Sequence, residues 1–287
     1  MNAMIEQMLI NGLLSGFVYV IMALGFTLIF GIMRIVNFAH GELYMISAYV
    51  MLVLHGRYEI NYFVALGIAV ACSALVGALL ERLLFRRFVG NELGGMIMSL
   101  AVAIILQSLA LMIFGPDDQT VPRPVEGVWH LAGTVISLDR ATVSACSIVA
   151  LVAFYLFTRY TRMGLAMQAV AQDRETACLM GIESNTIYLA SFAIGSALAG
   201  VAGALMAPIY SVGPYMGELP LLKSFVVVIL GGLGSVPGAV AGGLLLGLSE
   251  SVFATLFDST AALIASFVIV FLVIIVRPRG LLGKAYK

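Results

Sequence analysis

Polar residues are scarce along this chain, and they arrive in bunches. Between the bunches run stretches without a single charge: Gln7 to Met33, Ile60 to Leu80, Leu93 to Pro116, Ala141 to Thr158, Ser184 to Gly217, Ser224 to Ser249 and Ser259 to Val276. Most reach or exceed the length of about 18 apolar residues that crosses a hydrocarbon core as a helix. The pattern predicts spans over Leu93–Phe114, Ala141–Thr158, Ser184–Ala207, Val236–Thr255 and Thr260–Val276. Leu219–Gly232 is too short and too rich in glycine for an ordinary span, and reads as a broken or re-entrant helix.

Near the start, RIVNFAHGE interrupts the apolar pattern in the same way that ILGGLGSVPGAVAGG does near the end. Paired interruptions of this kind mark the midplane of transporters, because unwound backbone is tolerated in a bilayer only where it faces protein or a water-filled path. The expected fold class is therefore all-α: a polytopic integral membrane protein of about eight transmembrane helices. Its broken or re-entrant segments fall near residues 32–56 and 219–235, and residues 1–287 form one transmembrane domain.

Composition agrees with this reading. The chain is 62% hydrophobic and 10% charged, against roughly 45–50% and about 25% in soluble domains. The first residues lack the basic, short-apolar, small-residue order of a cleaved signal, so Met1 is expected to stay with the mature chain. Net charge is zero and no basic block occurs, so nucleic acid is not an expected partner. Cys72, Cys146 and Cys178 are far apart, without a CxxC, and read as small apolar side chains rather than a disulfide framework or a metal site.

The basic residues sort by loop. Arg82, Arg86 and Arg87, then Arg159, Arg162 and Arg174, then Arg277, Arg279, Lys284 and Lys287 make up ten of the fifteen. Short cytoplasmic loops carry such an excess, which places all three clusters in the cytoplasm. Residues 115–139, with three prolines, Asp117, Asp118, Glu126 and the only Trp, fit an extracytoplasmic loop. Counting spans backwards puts Met1 outside, unless residues 32–56 turn back on themselves.

Three constellations carry candidate chemistry. Asn37, His40, Gly41 and Glu42 stand between two apolar runs. An ionised carboxylate at a helix centre costs about 2.5–3.5 kcal/mol on insertion scales, so a buried Glu42 needs a partner such as His40 or a backbone N–H. Asn37 stands where a residue would cap a helix starting near Phe38. Two readings fit: a break beside a solute path, or a surface loop that keeps its charges wet.

Gly231, Gly232 and Gly234, followed by Pro237, suit a chain break, whereas Gly238, Gly242, Gly243 and Gly247 suit close helix packing. No Lys-Ser/Thr follows these glycines and Pro237 replaces the third glycine of GxGxxG, so no phosphate loop is formed. The third constellation, residues 159–183, predicts a short helix pair with Asp173, Arg174 and Glu175 together, Ala177 behind them and Gly181 as the C′ stop. It is either a solvated interfacial helix or a docking element for a soluble partner.

NFAHGELYMISAYV, AVAQDRETACLMGI, FAIGSALAGVAGAL, ILGGLGSVPGAVAGGLLLG and RPRGLLGK, in that order, resemble the permease subunits of ABC importers for branched-chain amino acids. The resemblance implies a permease of the bacterial inner membrane that carries out no bond chemistry and needs no cofactor of its own. ATP and Mg would be held by two cytoplasmic ATPase subunits. It further implies a second, related permease, an extracytoplasmic substrate-binding protein and coupling through Asp173–Gly181; the substrate path expected from the interrupted apolar pattern runs by Asn37, His40, Gly41, Glu42, Gly231, Gly232 and Gly234. Relatives in that family serve urea and short-chain amides, which these strings do not separate from amino acids. A passive small-solute channel and an ion-coupled carrier using Glu42, Glu218 or Glu250 are the rival classes.

Overall fold

The computed structural model describes residues 2–125, 127–131, 134–277 and 280–282. Glu126 in the long loop and Arg279, Lys284 and Lys287 in the tail lie outside the described residues. Eleven helices are described: α1 (Asn2–Met33), α2 (His40–Met51), α3 (Tyr62–Leu83), α4 (Glu92–Phe114), α5 (Leu138–Tyr160), α6 (Arg162–Gln172), α7 (Arg174–Leu179), α8 (Ser184–Met206), α9 (Glu218–Gly231), α10 (Val236–Leu256) and α11 (Ser259–Val276). Among the described residues seven of them are long and apolar enough to cross a membrane, and α2 and α9 are not among these seven. The late spans fall within a few residues of the expected ones.

α1 and α10 form the most intimate pair. A side chain on Gly243 would press on Val20, and one on Gly247 would strike Gly16 and the carbonyl of Gly12, so small residues set how closely these helices approach. α8 packs along α1, α2 and α3 and is buried over most of its length. By contrast α3, α4, α5 and α11 expose apolar faces, including Leu75, Ile104, Val149 and Phe271, as lipid-facing helices must.

Two ends of the bundle can be distinguished. One carries the strands β1 (Val128–Leu131) and β2 (Thr134–Ser137), an antiparallel hairpin within the long loop that the sequence pattern did not reveal. Gln119 and Val212 bridge there, Arg57 donates to Gln119 Oε1 at 3.0 Å, and Gln7 and Asn11 of α1 share a surface hollow with Arg123 and Arg140. The first turns of α1 therefore sit at this hairpin end. The other end carries Arg82, Arg86, Arg87, α6, α7 and the start of the tail, where Leu281 and Leu282 donate backbone hydrogen bonds to Leu230 and Gly231.

Candidate functional site

After α1 reaches the basic end, Arg34 adopts a left-handed φ of 56° and the chain turns back without helix as far as Ala39. Ser99 of α4 holds this return segment: its hydroxyl accepts from Phe38 N at 3.0 Å and lies 3.3 Å from Val36 O, while its own proton goes to Met96 O at 2.7 Å. The helix starts at His40, two residues later than expected. Asn37 consequently does not cap α2. Its side chain accepts from Ala39 N at 3.1 Å, making the local turn that feeds the helix.

α2 then runs from the interior towards the hairpin end and closes with the π-helical turn Leu52–Arg57. α9 is its counterpart. The chain descends without helix from Ala207 to Gly217, and α9 continues from the interior to the basic end. In both crossings the unwound part comes first along the chain, but the helical part lies towards the hairpin end in one and towards the basic end in the other. The two helix starts meet at Gly41 and Gly217, where a Cβ on either would overlap the carbonyl oxygen of the other.

Carboxylates occupy the first turn of both half-helices, where the unpaired N–H groups and the helix dipole favour negative charge. Glu42 is only 2% exposed, whereas Glu218 reaches the surface. Gln107 of α4 lies between them, donating from Nε2 to Glu42 Oε1 at 2.9 Å and to Glu218 Oε1 at 3.4 Å. Glu42 Oε2 has no partner among the described residues. His40 is not the partner of Glu42: two residues apart on a helix, the side chains point to different faces. His40 instead packs edge-on against Phe26 and places Nε2 3.2 Å from Met22 O, in room left by Gly25.

The glycines of the later interruption lie elsewhere. Gly232 and Gly234 have φ of 103° and 77° and form the turn from α9 to α10, while Gly231 lies against Gly238. The 14 residues of α9, about 20 Å of helix, separate Gly231 from the Gly41–Gly217 contact.

At the basic end, Asp173 caps α7, accepting from Thr176 N at 3.1 Å and Thr176 Oγ1 at 2.7 Å. Those bonds hold its carboxyl below the ordinary range. Arg174 lies over the Tyr188 ring at 5.5 Å, tying α7 to α8. Gly181, at φ 86°, takes the C′ position: its N–H bonds Cys178 O and the Ile182 N–H bonds Ala177 O. Ala177 is turned into the core and Glu175 faces out. Leu179 and Met180, 87% and 79% exposed, form an apolar tip that sequence reasoning missed.

Sequence reasoning also missed Lys223 and Tyr19. Lys223 Nζ donates to Glu250 Oε1 at 2.6 Å and to Tyr19 Oη at 2.8 Å, and Tyr19 donates to Glu250 Oε2 at 2.7 Å. The signal was present: Lys223 is the only lysine before the tail, and Glu250 interrupts an apolar run. Two such residues in one bundle are expected to pair.

Discontinuous spans meeting inside a helical bundle define the chain as a multi-pass membrane transport protein of the permease class. It belongs to the family described as branched-chain amino acid transport system / permease component, whose profile matches residues 8–277. The chain is 33% identical to the high-affinity branched-chain amino acid transport system permease protein LivH of Salmonella typhimurium, covering 97% of this chain and 95% of that one. The corresponding permease protein BraD of Pseudomonas aeruginosa gives the same figures. LivM of Escherichia coli, another permease protein of such a system, is 26% identical over 92% of this chain and 68% of its own length. No solved structure matches the chain. With seven spanning-length helices among the described residues, it is a multi-pass inner-membrane protein.

Proposed function

We propose that the chain is the permease subunit of an ABC importer that moves branched-chain amino acids inward. In this reading the basic end is cytoplasmic and the hairpin end faces the substrate-binding protein, in keeping with the loop bias of Arg. The observation that carries the reading is the Gly41–Gly217 junction, where two oppositely directed half-helices meet within a chain of this family. Unwound backbone on each side of that junction supplies polar groups along a path, and a shift of one half-helix against the other opens one side as it closes the other.

The chain itself hydrolyses nothing and binds no cofactor; two ATPase subunits hold ATP and Mg and dock on α6 and α7. Leu179 and Met180 supply the apolar contact, and Asp173, Arg174, Glu175 and Gly181 fix the shape that presents it. Arg174 on Tyr188 passes the movement to α8, which packs along α2. A second, related permease completes the pathway; that LivH and LivM both match this chain supports a paired arrangement.

The test is uptake by the purified complex in proteoliposomes, with loaded binding protein and leucine, urea and acetamide compared. ATP-dependent leucine uptake is expected. Flux without ATP would point to a channel, and gradient-driven flux by this chain alone to a carrier.

A further inference from the structure

A cavity of about 380 Å³ opens at the hairpin end between α1, the unwound 207–217 segment and α9. Lys223 and Tyr19 form part of its wall, Met22, Met206 and Met216 line its apolar part, and Asp118 stands among the residues of its mouth. We propose that this cavity binds the transported solute: an α-amino acid with a branched apolar side chain, its carboxylate on Lys223 and its side chain against the methionines. The inference rests on the import function proposed above and names the site within this subunit where the solute is first held.

The hydrogen-bond inventory of the triad supports a carboxylate. An ammonium has three donors. Lys223 commits two, to Glu250 and Tyr19, and Glu250 has both oxygens occupied by Lys223 and Tyr19. The ammonium, which also lies over the Tyr19 ring at 4.9 Å, keeps a third N–H for a ligand in the cavity it lines, and a charge-assisted bond to a carboxylate is the strongest it can make.

The rest of the cavity selects the body of the ligand. Its volume lies at the small end of the range for ligand pockets. Methionine side chains are flexible and polarisable, so they fit leucine, isoleucine and valine alike. Urea and acetamide offer a carbonyl oxygen but nothing to fill the apolar part. At the mouth the Asp118 carboxylate accepts from Ser211 Oγ at 3.1 Å, so the polar lining carries both signs of charge, as suits a zwitterion entering the cavity.

The experiment measures radiolabelled leucine binding to the purified permease complex in lipid nanodiscs, without binding protein or ATP. Saturable binding is expected, displaced by 4-methylpentanoate and not by acetamide. The double variant Lys223→Met/Glu250→Gln, which leaves no orphan charge, should weaken binding about ten-fold or more, and Lys223→Arg should retain most of it. Independently of these variants, leucine should slow maleimide labelling of Ser15→Cys, at another residue of the cavity wall, on a cysteine-free background. Absence of saturable binding and of protection, or wild-type binding by the double variant, overturns the proposal. Wild-type uptake in proteoliposomes separates the two ideas. Leucine uptake without cavity binding removes this site alone, whereas cavity binding without leucine uptake leaves the site standing and removes the import reading.

Discussion

Gly41 and Gly217 touch backbone to backbone, although 176 positions separate them in the chain, and neither has space for a methyl group. The contact joins the starts of two half-helices that run in opposite directions. Gly217→Val should push α9 away from α2, cost about 1–3 kcal/mol through overpacking, and lower both the melting temperature of the purified complex and its leucine uptake. Wild-type values of both would show that the half-helices do not depend on this approach.

Glu42 is held by Gln107 from another helix, so the two should act together. Glu42→Ala and Gln107→Leu are each expected to reduce uptake several-fold, with the double variant no worse than the more severe single one. Asn37→Leu removes the turn that feeds α2 and should also lower uptake. All of these should still co-purify with the ATPase subunits. Full uptake by Glu42→Ala and Asn37→Leu would mean that the break plays no part in the path.

At the basic end of α3, Arg86 grips Glu81 with two hydrogen bonds of 3.0 and 2.9 Å, and reaches Asn185 O at 3.3 Å. Glu81 is fully buried, and its hydrogen bonds raise the pKa of the guanidinium. Arg86→Met should strand a buried carboxylate and destabilise the protein by about 2–3 kcal/mol, less than the ~3–5 kcal/mol of a fully buried pair because Arg86 is 32% exposed. Thermal unfolding in detergent reads this. Arg86→Met/Glu81→Leu should recover much of the loss.

Gly181 needs its positive φ to close α7, and a β-branched residue adopts that conformation poorly. Gly181→Val and Arg174→Glu should leave the chain in the membrane but weaken ATPase co-purification and abolish transport-linked ATP turnover. Leu179→Ser/Met180→Ser should do the same without disturbing α7 itself. Full binding and turnover in all three would exclude α7 as the coupling element.

The Asp173 cap also sets a pH expectation. A carboxyl with a depressed pKa contributes stability fully above its ordinary value of 3.8 and loses it only as pH falls through the lower folded value. Coupled turnover should therefore show no inflection from Asp173 between about pH 6 and 8. Asp173→Asn, which can still cap, should behave like the wild type there.

Sidedness is open to direct labelling. Thr120→Cys and Met4→Cys, both at the hairpin end, should react with an impermeant maleimide in intact cells on a cysteine-free background, and Arg87→Cys should not. The reverse pattern would invert the topology.

The sequence by itself determined the class and the span boundaries, because long charge-free runs have one stable solution in a bilayer: helices that satisfy their own backbone. It also marked both interruptions and the Gly181 stop, which depend on local backbone preferences. Tertiary structure decided what those features face. Asn37 turns the return segment just ahead of α2 instead of capping the helix, and a hydroxyl from α4, Ser99, pins that segment through the Phe38 N–H. Glu42 found Gln107 rather than its near neighbour His40, since helical periodicity sends residues two apart in different directions. Lys223, Glu250 and Tyr19 come together from three helices. Such pairings depend on which helices pack together, and in a chain whose spans are mostly Leu, Val, Ile, Ala and Gly, local pattern says little about which face meets which neighbour.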